Sequence, residues 1–190
     1  QPDIAALALE VGMRVSLSNG IVALDGKLDL SSRCFRELEA LVRDFHGDGA
    51  GLVRADASIH AEYTSFPKAW EKAAELALGN GLVLHLHLSE TESEHRECLA
   101  RRNMTPARAF YESGVFRAKA LAAHCVWLSD EDIGLLAENG VSVVHNPVSN
   151  LKLGSGVARV VDMQKRGLNV ALGTDGCCSN NSHDLFEEIK

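Results

Sequence analysis

Residues 82–88 read LVLHLHL and run directly into SET at 89–91. A short apolar run of this length, bounded by a polar cluster, predicts a buried strand. The strand ends in an unusual way, because His85 and His87 share one parity near its carboxyl end. The pattern then recurs. ALAAHC (120–125) ends at His124, VSVVH (141–145) ends at His145, and NVALG (169–173) is followed at once by Asp175 in GTDG. Two further runs, RVSLS (14–18) and LVRADA (52–57), precede them. Runs that are unbroken rather than alternating suit strands buried on both faces of a parallel sheet.

Helical patterns fill the intervals. Residues 32–46 place Phe35, Leu38, Leu41, Val42 and Phe45 on one stripe. Ser65 is expected to cap a helix with Pro67 in its first turn, running to Gly79. Thr105 and Pro106 open another, which ends near Gly114. Ser129 and Asp132 have approximately capping-box spacing ahead of a helix closed by Gly140, and Gly12 and Gly167 close two more. Strands alternating with helices define an α/β protein with a parallel sheet. A doubly wound sheet would show a glycine-rich loop after its first strand, and no GxGxxG or GxxxxGK[ST] occurs. A (β/α)8 barrel takes about 250 residues. Periodicity leaves both architectures open.

Composition narrows the class. The 190 residues are 46% hydrophobic and 24% charged, enough apolar material for one domain with a real core. A net charge of −7 argues against nucleic acid or an anionic membrane as partner. Five scattered cysteines form no disulfide framework and no zinc knuckle, so reduced thiols and a cytoplasmic location are expected. Cys177 and Cys178 read as small residues filling a tight loop.

Polar residues at the ends of successive parallel strands converge on one mouth. His87, His124, His145 and Asp175 are therefore candidates for one site. Glu90, three residues after His87, is placed as a general acid or base. Neutral imidazoles with a carboxylate are the donor set of a catalytic zinc. His46, His95 and His183 read as surface or capping residues.

LHLHLSET (84–91), LAAHCVWL (121–128), HNPVSNLKLGSG (145–156) and LGTDGCCSNN (172–181) together resemble the amidohydrolase superfamily. More narrowly, they are similar to its 5-methylthioadenosine/S-adenosylhomocysteine deaminase and s-triazine hydrolase group, and IHAEYTS (59–65) resembles that group's substrate-contact segment. The resemblance implies a (β/α)8 barrel with one divalent metal, zinc by preference and Fe2+ as the alternative. The strands here would be about the third to the eighth. His87 matches the fifth-strand metal ligand and Asp175 the eighth-strand ligand. Glu90 matches the proton shuttle, and His124 the histidine that orients the attacking water. His60 matches a substrate-contacting histidine, with Glu90, His145 and Ser179 as further substrate-side candidates. His85 has no counterpart as a ligand and is expected one layer deeper.

The family's first-strand HxH pair is absent, since His85 and His87 belong to the HLSE strand. A barrel fragment over 1–190 is therefore expected, without the first strands and the small β-sandwich domain. The implied function is zinc-dependent hydrolytic deamination of 5-methylthioadenosine, S-adenosylhomocysteine or adenosine. An s-triazine, purine or pterin aminohydrolase or chlorohydrolase is the near alternative. A noncatalytic, partner-dependent barrel fragment is the alternative of another class. The expected partners are a nucleoside or heterocyclic amine and further copies of the chain.

Overall fold

The computed structural model describes residues 1–24 and 33–189. Seven strands are formed: β1 Val15–Leu17, β2 Val53–Ala55, β3 Ala57–Ser58, β4 Val83–Leu88, β5 Lys119–His124, β6 Ser142–His145 and β7 Asn169–Leu172. The helices are α1 Pro2–Val11, α2 Arg33–Phe45, α3 Asp48–Gly51, α4 Pro67–Asn80, α5 Glu92–Arg102, α6 Pro106–Glu112, α7 Asp130–Glu138, α8 Pro147–Lys152, α9 Val160–Lys165 and α10 Leu185–Glu188. Residue 32, the expected start of α2, lies outside the described residues.

Every strand pair is parallel. β1 pairs with β2, and β3 to β7 form one sheet in chain order. Only Asp56 separates β2 from β3, so the expected run 52–57 forms as one stretch broken at that residue. Neighbours follow chain order with no reversal. A doubly wound sheet needs a reversal point, and none exists among the described strands.

The strands are not buried on both faces. In β4, Leu84, Leu86 and Leu88 are buried, whereas Val83, His85 and His87 are half-buried. Pairing of Leu84 with Ala120 and Leu86 with Ala122 extends the buried face across β5. The helices cover this face. Trp70 and Ala73 of α4 and Phe110 of α6 belong to the same core as the strand leucines. The other face carries His85, His87, Ala123, Ser142 and Val144 and stays open. Small or aliphatic residues on that face made the runs read as unbroken.

Most helix ends follow local chemistry. Thr105 accepts from Arg108 N, Ser129 and Asp132 form the capping box, and Gly12 closes α1 at φ 68°. Ser65 differs from expectation, because Phe66 occupies the N-cap of α4. The Ser65 hydroxyl instead accepts from Trp70 Nε1 at 2.7 Å and donates to Ala61 O at 2.8 Å. A buried indole N–H needs an acceptor, and that need outweighs the cap. The helix also runs past Gly79 to Asn80, with Gly81 at φ 64° as its C-cap.

Candidate metal centre

His87 sits on the open face near the end of β4. Its Nδ1 lies 2.6 Å from His60 O. A carbonyl oxygen only accepts, so Nδ1 carries the proton and Nε2 keeps a free lone pair.

His124 ends β5, and its register partner is Leu88 on the helix-covered face. Strict alternation would bury it beneath the helices. The backbone instead turns left-handed, with φ 70° at His124 and 51° at Cys125. Such values are uncommon outside glycine and cost about 1–2 kcal/mol each. Cys125 N–H donates to Leu88 O, while Val126 and Trp127 N–H both donate to Ser89 O, so tertiary bonds hold the turn. The turn brings the His124 ring over His87, stacked at 5.5 Å between centroids. Ser89 at φ 45° and Asp175 at φ 59° are left-handed as well. Backbone strain thus collects at the ends of the strands that carry the candidates.

His124 Nδ1–H donates to Asn150 Oδ1 at 2.8 Å, which leaves Nε2 free. Asp175 Oδ2 accepts the hydroxyls of Ser149 and Ser179, each at 2.6 Å. Burial pushes the Asp175 carboxyl up, but the Ser149, Ser179 and Gly176 N–H hydrogen bonds together hold it below the usual range. His87, His124 and Asp175 each offer one ligand atom, and these atoms lie within 4.8 Å of one another. Ligand atoms on one zinc stand about 3–4 Å apart, so small side-chain shifts close the set. Imidazoles protonated on Nδ1 with a carboxylate fit a borderline divalent ion. The geometry admits His124 as a ligand as readily as the water-orienting role.

Glu90 Oε2 is 3.7 Å from His124 Nε2, and its Oε1 accepts from Ser155 Oγ at 3.2 Å. His60 stands beside His87, rings 4.9 Å apart, with Nδ1 2.9 Å from Thr64 Oγ1. Burial, then the neighbouring His87, lowers the His60 pKa and favours its neutral form. The segment bearing His60 is tied to α5 by buried Glu62, which bonds Arg101 and Arg102 at 2.5 Å each.

His145 and Ser179 are placed differently from one another. His145 pairs with Leu172 on the opposite parity to Val144, and its Nδ1 is buried without a partner. No hydrogen bond joins it to the cluster among the described contacts. The Ser179 hydroxyl is engaged by Asp175 and Gly176 O, a carboxylate-holding place that the substrate-side expectation did not foresee. His85 is half-buried, with Nε2 3.4 Å from Asp56. Burial of Asp56 raises its pKa, but bonds from His85, Ser16, Val83 N–H and Arg54 outweigh that and depress it. Cys177 and Cys178 are exposed and do not fill the loop. Asn180 shapes that loop instead, donating to Thr174 O at 2.8 Å. His46, directly after α2, is held by a strand instead of capping a helix, with Nδ1 3.0 Å from Ala55 O. His95 is half-buried, with an unpartnered Nδ1.

Among the residues with direct bonds to the candidates, Ser149, Asn150, Ser155 and Glu94 were not singled out from sequence. Glu94 is buried and accepts from Ser89 N–H at 3.1 Å and Glu90 N–H at 2.7 Å. Burial pushes its carboxyl up to about 7, against the opposing pull of those two N–H bonds. An acid whose folded pKa exceeds its unfolded value of 4.5 holds an extra proton in the native state. Stability from this group is therefore full below pH 4.5 and is lost as pH rises through about 7. The loss amounts to about 3 kcal/mol. Urea midpoints from pH 4.5 to 8 should fall more steeply in the wild type than in Glu94→Gln. Parallel curves would refute the assignment.

Residues 3–190 match the amidohydrolase family, and the chain belongs to it. It is 41% identical over 187 residues to a 5′-deoxyadenosine deaminase of Methanothermobacter thermautotrophicus, covering 98% of this chain and 44% of that protein. A 5-methylthioadenosine/S-adenosylhomocysteine deaminase of Moorella thermoacetica is also 41% identical over 187 residues, covering 98% of this chain and 43% of the relative. The chain thus spans less than half the length of these relatives. Among solved structures, an adenosine deaminase from Xanthomonas campestris with bound zinc superposes with a TM-score of 0.84 at 32% identity, covering 97% of this chain and 42% of that one. No helix among the described residues is long and apolar enough to cross a membrane.

Proposed function

We propose that the protein is a zinc-dependent aminohydrolase that removes the 6-amino group of an adenosine-type nucleoside as ammonia. The observation that carries this reading is the meeting of His87, His124 and Asp175 within 4.8 Å, with Glu90 3.7 Å from His124. The relatives' names support the substrate class, with 5′-methylthioadenosine, S-adenosylhomocysteine and adenosine as the compounds to test. On the same reading, the parallel strands are the third to eighth of a (β/α)8 barrel, and the chain is part of one catalytic domain.

His87 and Asp175, with further ligands completing the shell, would hold a divalent ion, which when bound would supply Lewis acidity and lower the pKa of water from 15.7 towards about 7. Asp175, steadied at Oδ2 by two hydroxyls, accepts the proton of the attacking water. His124 orients that water through Nε2, its Nδ1–H being held by Asn150. Glu90 delivers a proton to the ring nitrogen beside C6, so that the ring accepts the electron pair as the C–O bond forms. The proton taken up by Asp175 then passes to the amino group, so that the C–N bond breaks and ammonia leaves while the C6 hydroxyl returns a proton to Glu90. His60, neutral beside this centre, can accept from or donate to the substrate.

The test is ammonia release with zinc present from the three nucleosides, beside an amino-s-triazine. Turnover of a nucleoside is the expected result. Turnover of the triazine alone would overturn the substrate class, and no turnover of any would overturn the reaction.

A further inference from the structure

One short segment touches all three reactive groups. Ser149 and Asn150 lie on α8, and Ser155 lies just beyond its end. Ser149 Oγ donates to Asp175 Oδ2 at 2.6 Å, His124 Nδ1–H donates to Asn150 Oδ1 at 2.8 Å, and Ser155 Oγ donates to Glu90 Oε1 at 3.2 Å. The three side chains bridge 26, 26 and 65 residues of sequence. They are 0%, 1% and 4% exposed, so their polar groups serve the protein and not the solvent.

The segment is itself well fixed. Asn150 N–H donates to Asn146 O, and Ser155 N–H donates to Asn150 O at 2.8 Å. Trp127 Nε1–H donates to Ser155 O at 2.7 Å. The Asn150 Nδ2 is buried without a partner, which makes its amide a poor choice for packing alone. Asp175, His124 and Glu90 stand at the ends of three different strands, and α8 with its exit turn bonds to all of them.

Resting on the aminohydrolase reading, we infer that Ser149, Asn150 and Ser155 are positioning residues through which one rigid segment sets the mutual geometry of Asp175, His124 and Glu90. Each acts on a different quantity. Ser149 orients the carboxylate that would hold the ion, Asn150 fixes the tautomer and direction of His124, and Ser155 directs Glu90 towards the substrate.

The test measures zinc affinity with a competing chelator, kcat, KM and Tm. Ser149→Ala should weaken zinc binding about 10–100-fold, the usual effect of losing a bond to a metal ligand, with a smaller fall in kcat at saturating zinc. Ser155→Ala should leave zinc affinity unchanged and lower kcat about tenfold with KM within about twofold, the value of one lost hydrogen bond. Asn150→Ala should move both quantities. Ser→Thr at 149 and 155 should restore them, since the hydroxyl is kept. Equal shifts in every quantity, tracking Tm, would mean packing alone and overturn the inference. Wild-type zinc affinity in Ser149→Ala, when Asp175→Asn has lost zinc, would overturn it while sparing the metal site. Wild-type zinc affinity in Asp175→Asn would instead overturn the metal-site reading, and this inference with it.

Discussion

On the proposed reading, Asp175→Asn and His87→Ala should each lower nucleoside turnover by at least about 10³-fold and remove most bound zinc, because each would take away a metal ligand where even a supporting bond is worth about 10–100-fold. The two losses differ in kind. Asparagine keeps the shape of Asp175 and an oxygen for Ser149 and Ser179, but it removes the charge that faces the cluster. Alanine at position 87 removes the imidazole whose proton is fixed by His60 O, and with it the free Nε2. Neither side chain belongs to the hydrophobic core, so Tm should fall only by a few degrees. Zinc per chain by elemental mass spectrometry and ammonia release are the two readings. Full zinc content together with full activity in both variants would remove the site assignment.

Much of this site was legible because parallel strands write their ends locally. His87 and Asp175 stand just where short apolar runs stop, and Glu90 follows by three residues. Parity runs against the placing of His124. Counting along β5 sends His124 to the helix-covered face, in register with Leu88. Only the left-handed turn at His124 and Cys125 brings it round. That turn depends on carbonyls of Leu88 and Ser89, more than 30 residues away in sequence, so no local pattern encodes it. Ser149, Asn150 and Ser155 were hidden for the same reason, since their partners lie on other strand ends. Ser65 misled in the opposite sense. Its position before Pro67 is a good capping signal, but Trp70 folds back and takes its oxygen.

The family motif named Glu90 as the proton carrier, and its surroundings suit that role through geometry alone. The carboxyl is 19% exposed at its side chain, so it can exchange protons with solvent yet still face the cluster. Oε2 looks towards His124 and Oε1 is steadied by Ser155, while its backbone N–H is gripped by Glu94. Glu90→Gln preserves size and much of this bonding but cannot shuttle a proton. Loss of a positioned general acid or base costs about 10²–10⁴-fold. The expected outcome is therefore a fall of that size in kcat, with zinc content and Tm near wild type. This separates the variant from Asp175→Asn, in which activity and zinc disappear together. A substrate that needs no ring protonation, because its leaving group departs unaided, should be spared much of the loss. If Glu90→Gln instead lost its zinc, Glu90 would have to be counted among the ligands. If kcat stayed within threefold of wild type, another group would have to carry the proton. His60 would be the first to test, since it is neutral and its ring lies 4.9 Å from that of His87.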